Sequence, residues 1–240
     1  MRQPWKNPAA CLIISLAAVP LAANGPDLLA VADGDERLRQ TIEYLASFDS
    51  RMTGQPGNAQ AADWLEAQLQ ALGLGTVRRE AFPVTIPSEV GTGSLFVEEW
   101  GESARLFGLW PNGARTTTVS PEGVRAPLVW GGSGEYEELD GRAVNGRIIL
   151  MEFNSWDHWI RLAGLGARAI VFVEPEGTSY RQTLDKYLYA PVDVPRFWIG
   201  AQDGDRLRRR LVAGDEIDVL LHSRMDWVER PAWNIWVEIP

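Results

Sequence analysis

The chain has 240 residues, enough for one large domain or two small ones with a real core. Its 23 Lys+Arg against 32 Asp+Glu give a formal charge of -9, which leaves no basic surface to neutralise phosphates and argues against a nucleic-acid partner. With 45% hydrophobic and 10% aromatic residues it is not a disordered chain either.

The N-terminus carries Arg2 and Lys6 before a small, apolar run from Ala9 to Ala23. That pattern predicts an export signal over residues 1–23, with cleavage as late as residue 32 as the alternative, because Ala30-Val31-Ala32 also fits the small-residue rule. The run falls short of the ~20 residues needed to span a bilayer, and Pro20 interrupts it, so no stable membrane insertion is expected after cleavage. The expected location is secreted or periplasmic. Cys11, the only cysteine, lies inside this segment, so the mature protein would have neither a disulfide nor a thiol nucleophile.

Asp33-Gly34-Asp35-Glu36 reads as a helix start, with Leu38, Ile42 and Leu45 on one face of a helix that runs to about Phe48. A turn-rich connector, Arg51 to Gly57, leads to a second amphipathic helix lined by Ala62, Leu65, Leu69 and Leu72 and stopped by Gly73. Thr76 to Ile86 alternates as a strand, with Phe82, Val84 and Ile86 on one side. Two short strands, around Leu95 to Trp100 and Leu106 to Trp110, suggest a hairpin, and Ala126 to Trp130 is a further strand.

Next comes a βαβ pattern. Arg147 to Phe153 is a buried strand; Asn154 is placed to cap a helix whose apolar face would be Trp156, Ile160, Ala163 and Ala167; Ala169 to Val173 is the second strand. Glu174 to Asp193 reads as a long exposed loop carrying Tyr180, Tyr187 and Tyr189. Pro195 to Ile199 is a strand, Gln202 to Ala213 a helix stopped by Gly214, and Ile217 to Leu221 another strand. Asn234 to Pro240 alternates as a half-buried strand.

These residues resemble, across most of the mature chain, the secreted dinuclear-zinc exopeptidases of the bacterial leucine aminopeptidase and glutamate carboxypeptidase group. The first two helices, the Arg51 to Gly57 connector, Leu72-Gly73-Leu74 and the strand around Phe82 are similar to the start of their peptidase domain. Ala126-Pro-Leu-Val129, Val144-Asn-Gly-Arg-Ile-Ile-Leu150, Ala163-Gly-Leu-Gly-Ala167 and Ile170-Val-Phe172 resemble the inserted protease-associated domain. Asn234-Ile-Trp-Val-Glu-Ile-Pro240 resembles the strand with which the peptidase domain resumes. The resemblance implies a mixed α/β chain: an N-terminal helical segment at 33–87, a protease-associated domain with its βαβ unit at 88–225, and one strand of an incomplete catalytic domain at 226–240.

For a full-length relative the resemblance implies two zinc ions, a zinc-bound hydroxide attacking a scissile carbonyl, and a glutamate general base. No family catalytic residue maps onto this chain, so neither catalytic nor metal residues are assigned and no substrate-binding residue is identified; the chain alone is expected to be inactive. Its implied partners are its own catalytic domain and peptide substrates, with a lid or specificity role centred on Glu174 to Asp193. His158 and His222, the only histidines, are read as surface or helix-end residues. Gly131-Gly-Ser133-Gly134 reads as a tight turn, since Glu135 replaces the second glycine of a nucleophile elbow and no helix pattern follows. Gly164-Leu-Gly166-Ala-Arg-Ala169 lies at the wrong end of a helix for phosphate, and Asp203-Gly-Asp205 is a helix start. Arg208-Arg-Arg210 fits a helix C-terminus. The eleven tryptophans favour packing, and they also sustain an alternative from another class, a non-enzymatic secreted module binding peptide or carbohydrate through Trp156, Trp159, Trp227, Trp233 and Trp236.

Overall fold

The computed structural model describes residues 34–113, 115–187 and 192–239. The export signal, Asp33, Cys11 and Tyr189 lie outside the described residues. The chain divides at Asp49 into two compact units, each described by itself. The first unit contributes α1 (Gly34–Ala46), tied internally by Arg39 to Glu36 and Glu43 one turn away on either side, with an edge-to-face contact between Tyr44 and Phe48.

The second unit begins with α2 (Pro56–Leu72), which starts inside the expected connector because Pro56 needs no N–H partner in the first turn. It ends at Gly73, whose left-handed φ of 61° lets its N–H return to the Gln70 carbonyl. Two 14-residue strands, β1 (Thr76–Glu89) and β9 (Met225–Glu238), pair antiparallel along their whole length, from Thr76 opposite Glu238 to Glu89 opposite Met225. α2 packs on this ribbon, where Arg79 reaches Asp63 and Glu66 of the helix. The last strand starts at Met225, one residue before the expected 226–240 segment and nine before the alternation read from Asn234. Pro83 stands opposite Pro231. Neither can donate, so this is a non-hydrogen-bonded pair whose N positions point outward, and Pro87, four residues on, shares that parity. The ladder thus loses nothing to its prolines while both outer edges are blunted.

Between the ribbon strands lies a closed seven-stranded barrel: β2 (Gly93–Val97), β3 (Glu102–Gly108), β4 (Val124–Trp130), β5 (Ile148–Glu152), β6 (Ala169–Val173), β7 (Arg196–Ile199) and β8 (Ile217–His222), in the order β2-β3-β7-β6-β5-β4-β8. The β2–β3 hairpin is antiparallel as expected, and β4, β5, β6 and β7 run parallel. Alternate residues of all seven strands, among them Leu95, Leu106, Leu128, Leu150, Val171, Phe197 and Val219, form one core, joined by Leu207 of α6 (Ala201–Val212). The opposite face of β5 and β6, with Ile149, Met151, Ile170 and Phe172, makes a second cluster under α4 (Trp159–Gly164). Burial on both faces is why β5 and β6 read as unbroken apolar runs, whereas β4 and β8 alternate.

The crossover helix departs from expectation. α4 begins at Trp159, not after Asn154, and its buried residues are Trp159 and Leu162. Trp156 precedes the helix with φ 48° and is 48% exposed as a residue, so it is off the apolar face; Ile160, Ala163 and Ala167 are only partly buried against the cluster. Asn154 does not cap the helix, because its side chain is spent on Gly177 O and Thr178 Oγ1. The expected exposed loop after Glu174 also needs correction: it contains a short helix, α5 (Tyr180–Leu184), and buries Gln182 and Lys186.

The turn before β1 fixes the ribbon end. A Cβ on Gly75 would stand 2.0 Å from the Glu238 carbonyl oxygen and 2.9 Å from its carbon, which are backbone atoms that cannot swing away. Gly75→Ala should cost about 1–3 kcal/mol in urea unfolding. Gly73→Ala, which meets open space but keeps a left-handed φ, should cost about 1 kcal/mol.

Candidate functional site

Four parallel strands deliver their carboxyl ends to one side of the barrel, the usual ligand side of such sheets. A cleft of about 280 Å³ opens there, lined by Trp130, Glu152, Asn154, Glu174, Asp205 and Arg208 among others. Glu174 already accepts the Ala201 N–H at the start of α6, and Arg208 pairs with Asp205 and lies over the Trp130 ring. These are supporting contacts. The cleft holds carboxylates and one guanidinium with no histidine or hydroxyl nucleophile among its lining residues.

Beside it, β4 turns through Gly131 to Gly134 into a short helix, α3 (Tyr136–Leu139), so a helical turn does follow the glycines, contrary to expectation. Ser133 stands where a nucleophile would, yet its Oγ donates to Glu138 Oε2 at 2.7 Å and its N–H to the same oxygen at 2.8 Å. Glu138 is the third residue of a capping box, with Glu135 at the cap. His158, at the cap of α4, has Nδ1 3.0 Å from Ser133 O and 3.5 Å from Glu135, and Arg161 pairs with Glu135 at 2.7 Å. Ser133, His158 and Glu135 are thus brought together, but the imidazole meets the serine's carbonyl and not its hydroxyl. The arrangement braces a turn; it is not a base addressing a nucleophile.

His222 ends β8 against Gly123, remote in sequence and element from His158. Among the described residues, no group of three or more His, Cys, Asp or Glu side chains converges on a possible metal position. The residues present therefore do not fit the zinc pair implied by the resemblance, and no hydrolytic step through metal follows from them. Gly164 and Gly166 close α4, Gly166 at φ 89° with its Cα facing Asn145, and Asp203 sits in the first turn of α6. Arg210 pairs with Asp215 and Glu99 and, with Arg206, lies over Trp100, so the basic run is used in ion pairs and ring contacts as well as at a helix end.

Of the five tryptophans singled out in the sequence, Trp156 and Trp159 part company, and so do those of β9. Trp159 is fully buried and Trp156 faces out. On β9, Trp227 and Trp233 share a face but lie six residues, or roughly 20 Å, apart, while Trp236 points to the other face. Trp233 is covered by the Arg79 guanidinium at 4.7 Å.

Sequence reading missed the most unusual chemistry, two buried cations in the outer cluster. Lys186 is 0% exposed; its Nζ donates to Trp156 O at 2.5 Å and lies over the rings of Phe153 and Phe172 at 5.1 and 5.2 Å. Burial pulls its pKa down to about 8, against an upward pull from Asp185 and Asp157. Arg196 donates to Lys186 O and Trp110 O and stacks over Trp159 at 4.7 Å; burial lowers its pKa as well. The only sequence signal was a lone lysine amid tyrosines in a polar stretch.

No protein-family model matches the sequence, and no curated protein matches it. Solved structures do. The Peptidase M28 precursor from Shewanella amazonensis SB2B is 17% identical, over 85% of this chain and 52% of that one, with a TM-score of 0.55. The aminopeptidase from Aneurinibacillus sp. strain AM-1 is 21% identical over 83% of this chain and 46% of that one, with a TM-score of 0.48. The chain spans about half the length of both. At these identities the likeness to the Shewanella protein is one of fold, a mixed α/β architecture. No helix among the described residues is long and apolar enough to cross a membrane.

Glu138 makes the turn testable. Burial raises its pKa, but the bonds from Ser133 Oγ, Ser133 N–H and Glu135 N–H, with Arg142 nearby, outweigh that and hold it below the usual 4.5. A depressed carboxylate adds stability above its unfolded pKa and loses it as pH falls through the folded one. Wild type should therefore be more stable than Glu138→Gln at pH 7, and chemical denaturation should show the gap closing below about pH 4.5.

Proposed function

We propose that this chain is the N-terminal portion of a secreted zinc-dependent exopeptidase of the M28 type, an aminopeptidase acting on peptides, in which the barrel is a protease-associated domain. One observation carries the reading. The barrel is inserted between the two strands of a single ribbon, β1 and β9, in a chain 85% of which is covered by the fold likeness to the Shewanella M28 precursor. The sequence resemblance, with its expected insertion at 88–225, supports the same reading.

In this reading the chain's own residues do not cut peptides. Hydrolysis belongs to zinc ligands and a carboxylate base supplied outside this chain, and the barrel acts beside that centre as a lid or specificity surface. The exposed side chains of Trp156, Tyr180 and Leu184, carried by the turn before α4 and by α5, are the residues assigned to substrate contact. The localisation follows from the basic and apolar start of the chain, and the substrate class from the resemblance.

Two measurements test this. The purified chain should hold well under one zinc per molecule by elemental mass spectrometry and should release no nitroaniline from aminoacyl-p-nitroanilides, whereas a protein extended to the length of the Shewanella relative should bind two zincs and turn over. Activity from the chain alone would overturn the reading. In that longer protein, replacing Tyr180 and Leu184 by serine should raise KM for peptides several-fold with little change in kcat.

A further inference from the structure

Trp156 is the one non-glycine residue with a left-handed φ among the described residues, and both of its backbone polar atoms are taken by a single neighbouring segment. Gln182 Oε1 accepts its N–H at 2.8 Å, and Lys186 Nζ donates to its carbonyl at 2.5 Å. Gln182 and Lys186 are one helical turn apart, so the two seats are set by one rigid piece of chain. Further ties follow the same direction: Trp159 Nε1 donates to Asp185 O at 2.9 Å, Arg196 to Lys186 O, and Asn154 Nδ2 to Gly177 O at 2.8 Å. The segment itself carries little apolar anchorage, since Tyr180 and Leu184 are exposed. Its hold on the barrel is polar, and a buried ammonium stands at the middle of it.

We propose that residues Glu176–Tyr187 form a proton-controlled strap, which closes on the outer cluster of the barrel by seating Gln182 and Lys186 on the two backbone polar atoms of Trp156. When the strap is closed, Lys186 lies among Phe153, Phe172 and the Trp156 carbonyl; when it lifts, the ammonium returns to water. The charged groups around it are Asp185 on its own turn, Asp157 on the loop before α4, Arg196 on β7 and Tyr187 beside it. Burial pulls the Arg196 guanidinium down to about 10, so it loses charge only toward the upper end of the alkaline range.

The sign follows from linkage. The closed form holds Lys186 at a pKa near 8 and the open form near 10.5, so the open form binds more protons between these values. Raising pH through that window closes the strap; lowering it favours opening. Tyr187, raised by burial, acts oppositely, but only above about pH 10. The proposal stands independently of the peptidase reading.

Amide hydrogen exchange by mass spectrometry, corrected for intrinsic rates, tests it between pH 7 and 10. In wild type, protection of peptides spanning residues 178–187 should rise by up to about tenfold per pH unit above pH 8. Peptides from Ala169–Val173 should not follow. Lys186→Met should abolish the slope, and Lys186→Arg should give low protection at every pH; if the methionine variant does not fold, the wild-type slope against the arginine variant decides. Gln182→Ala should lower protection without changing the slope. A flat or falling wild-type profile, or a slope retained in Lys186→Met, would overturn the strap.

Discussion

Everything in the second unit depends on the pairing of β1 with β9. Thr76 and Glu238 are 162 positions apart in the chain, yet they face each other across a ladder, so the whole barrel is a closed excursion from one ribbon. Closing so long a loop is costly in chain entropy but grows only slowly with length, and a 14-residue ladder repays it. The ribbon hands the chain over with further bonds at the junction: Val90 N–H to Arg224 O, Glu89 to the Gly108 N–H at 2.5 Å, and Thr118 Oγ1 to Met225 O at 2.8 Å. Strands entering and leaving the barrel are therefore pinned to each other before the barrel begins.

Inside the barrel the comparable constraint is β4, which changes partners along its length. It pairs with β8 from Val124 to Leu128 and with β5 from Leu128 to Trp130. Each change leaves a carbonyl facing an edge without a strand. Arg142 donates to Trp130 O on the side where β8 has not begun, and Arg168 donates to Arg125 O on the side where β5 has not begun. Buried or half-buried carbonyls need such partners, and a guanidinium on a long stem can reach them where no strand can. Short strands with mixed directions can close into a barrel because side chains complete the ladders.

The sequence showed the barrel better than the ribbon. Runs such as Ala169 to Val173 and Ile217 to Leu221 were legible because apolar content and turn residues agree there. In β9 the alternation itself was legible only from Asn234, since Arg230-Pro231 interrupts it, and the earlier half came from the family resemblance alone; pairing with a matching proline on β1 completes the strand. The helix start was misplaced for a local reason. Asn154, Asp157 and Trp156 satisfy every capping and periodicity rule, and tertiary bonds to Gly177 and Gln182 override them. Lys186 was hidden because polarity in sequence says nothing about a cation satisfied by carbonyls and ring faces.

That last point explains why candidate motifs resolved into scaffolding. Glu138, Arg142, Arg168, Arg196 and Lys186 all spend polar atoms on main-chain groups or on a turn hydroxyl, and each thereby finishes a piece of backbone that regular pairing leaves open. Catalysis asks for the opposite: side chains held in place by others, with their reactive atoms free and converging on empty space. Ser133 and His158 meet the first demand and fail the second, because the imidazole addresses a carbonyl while the hydroxyl is committed to Glu138.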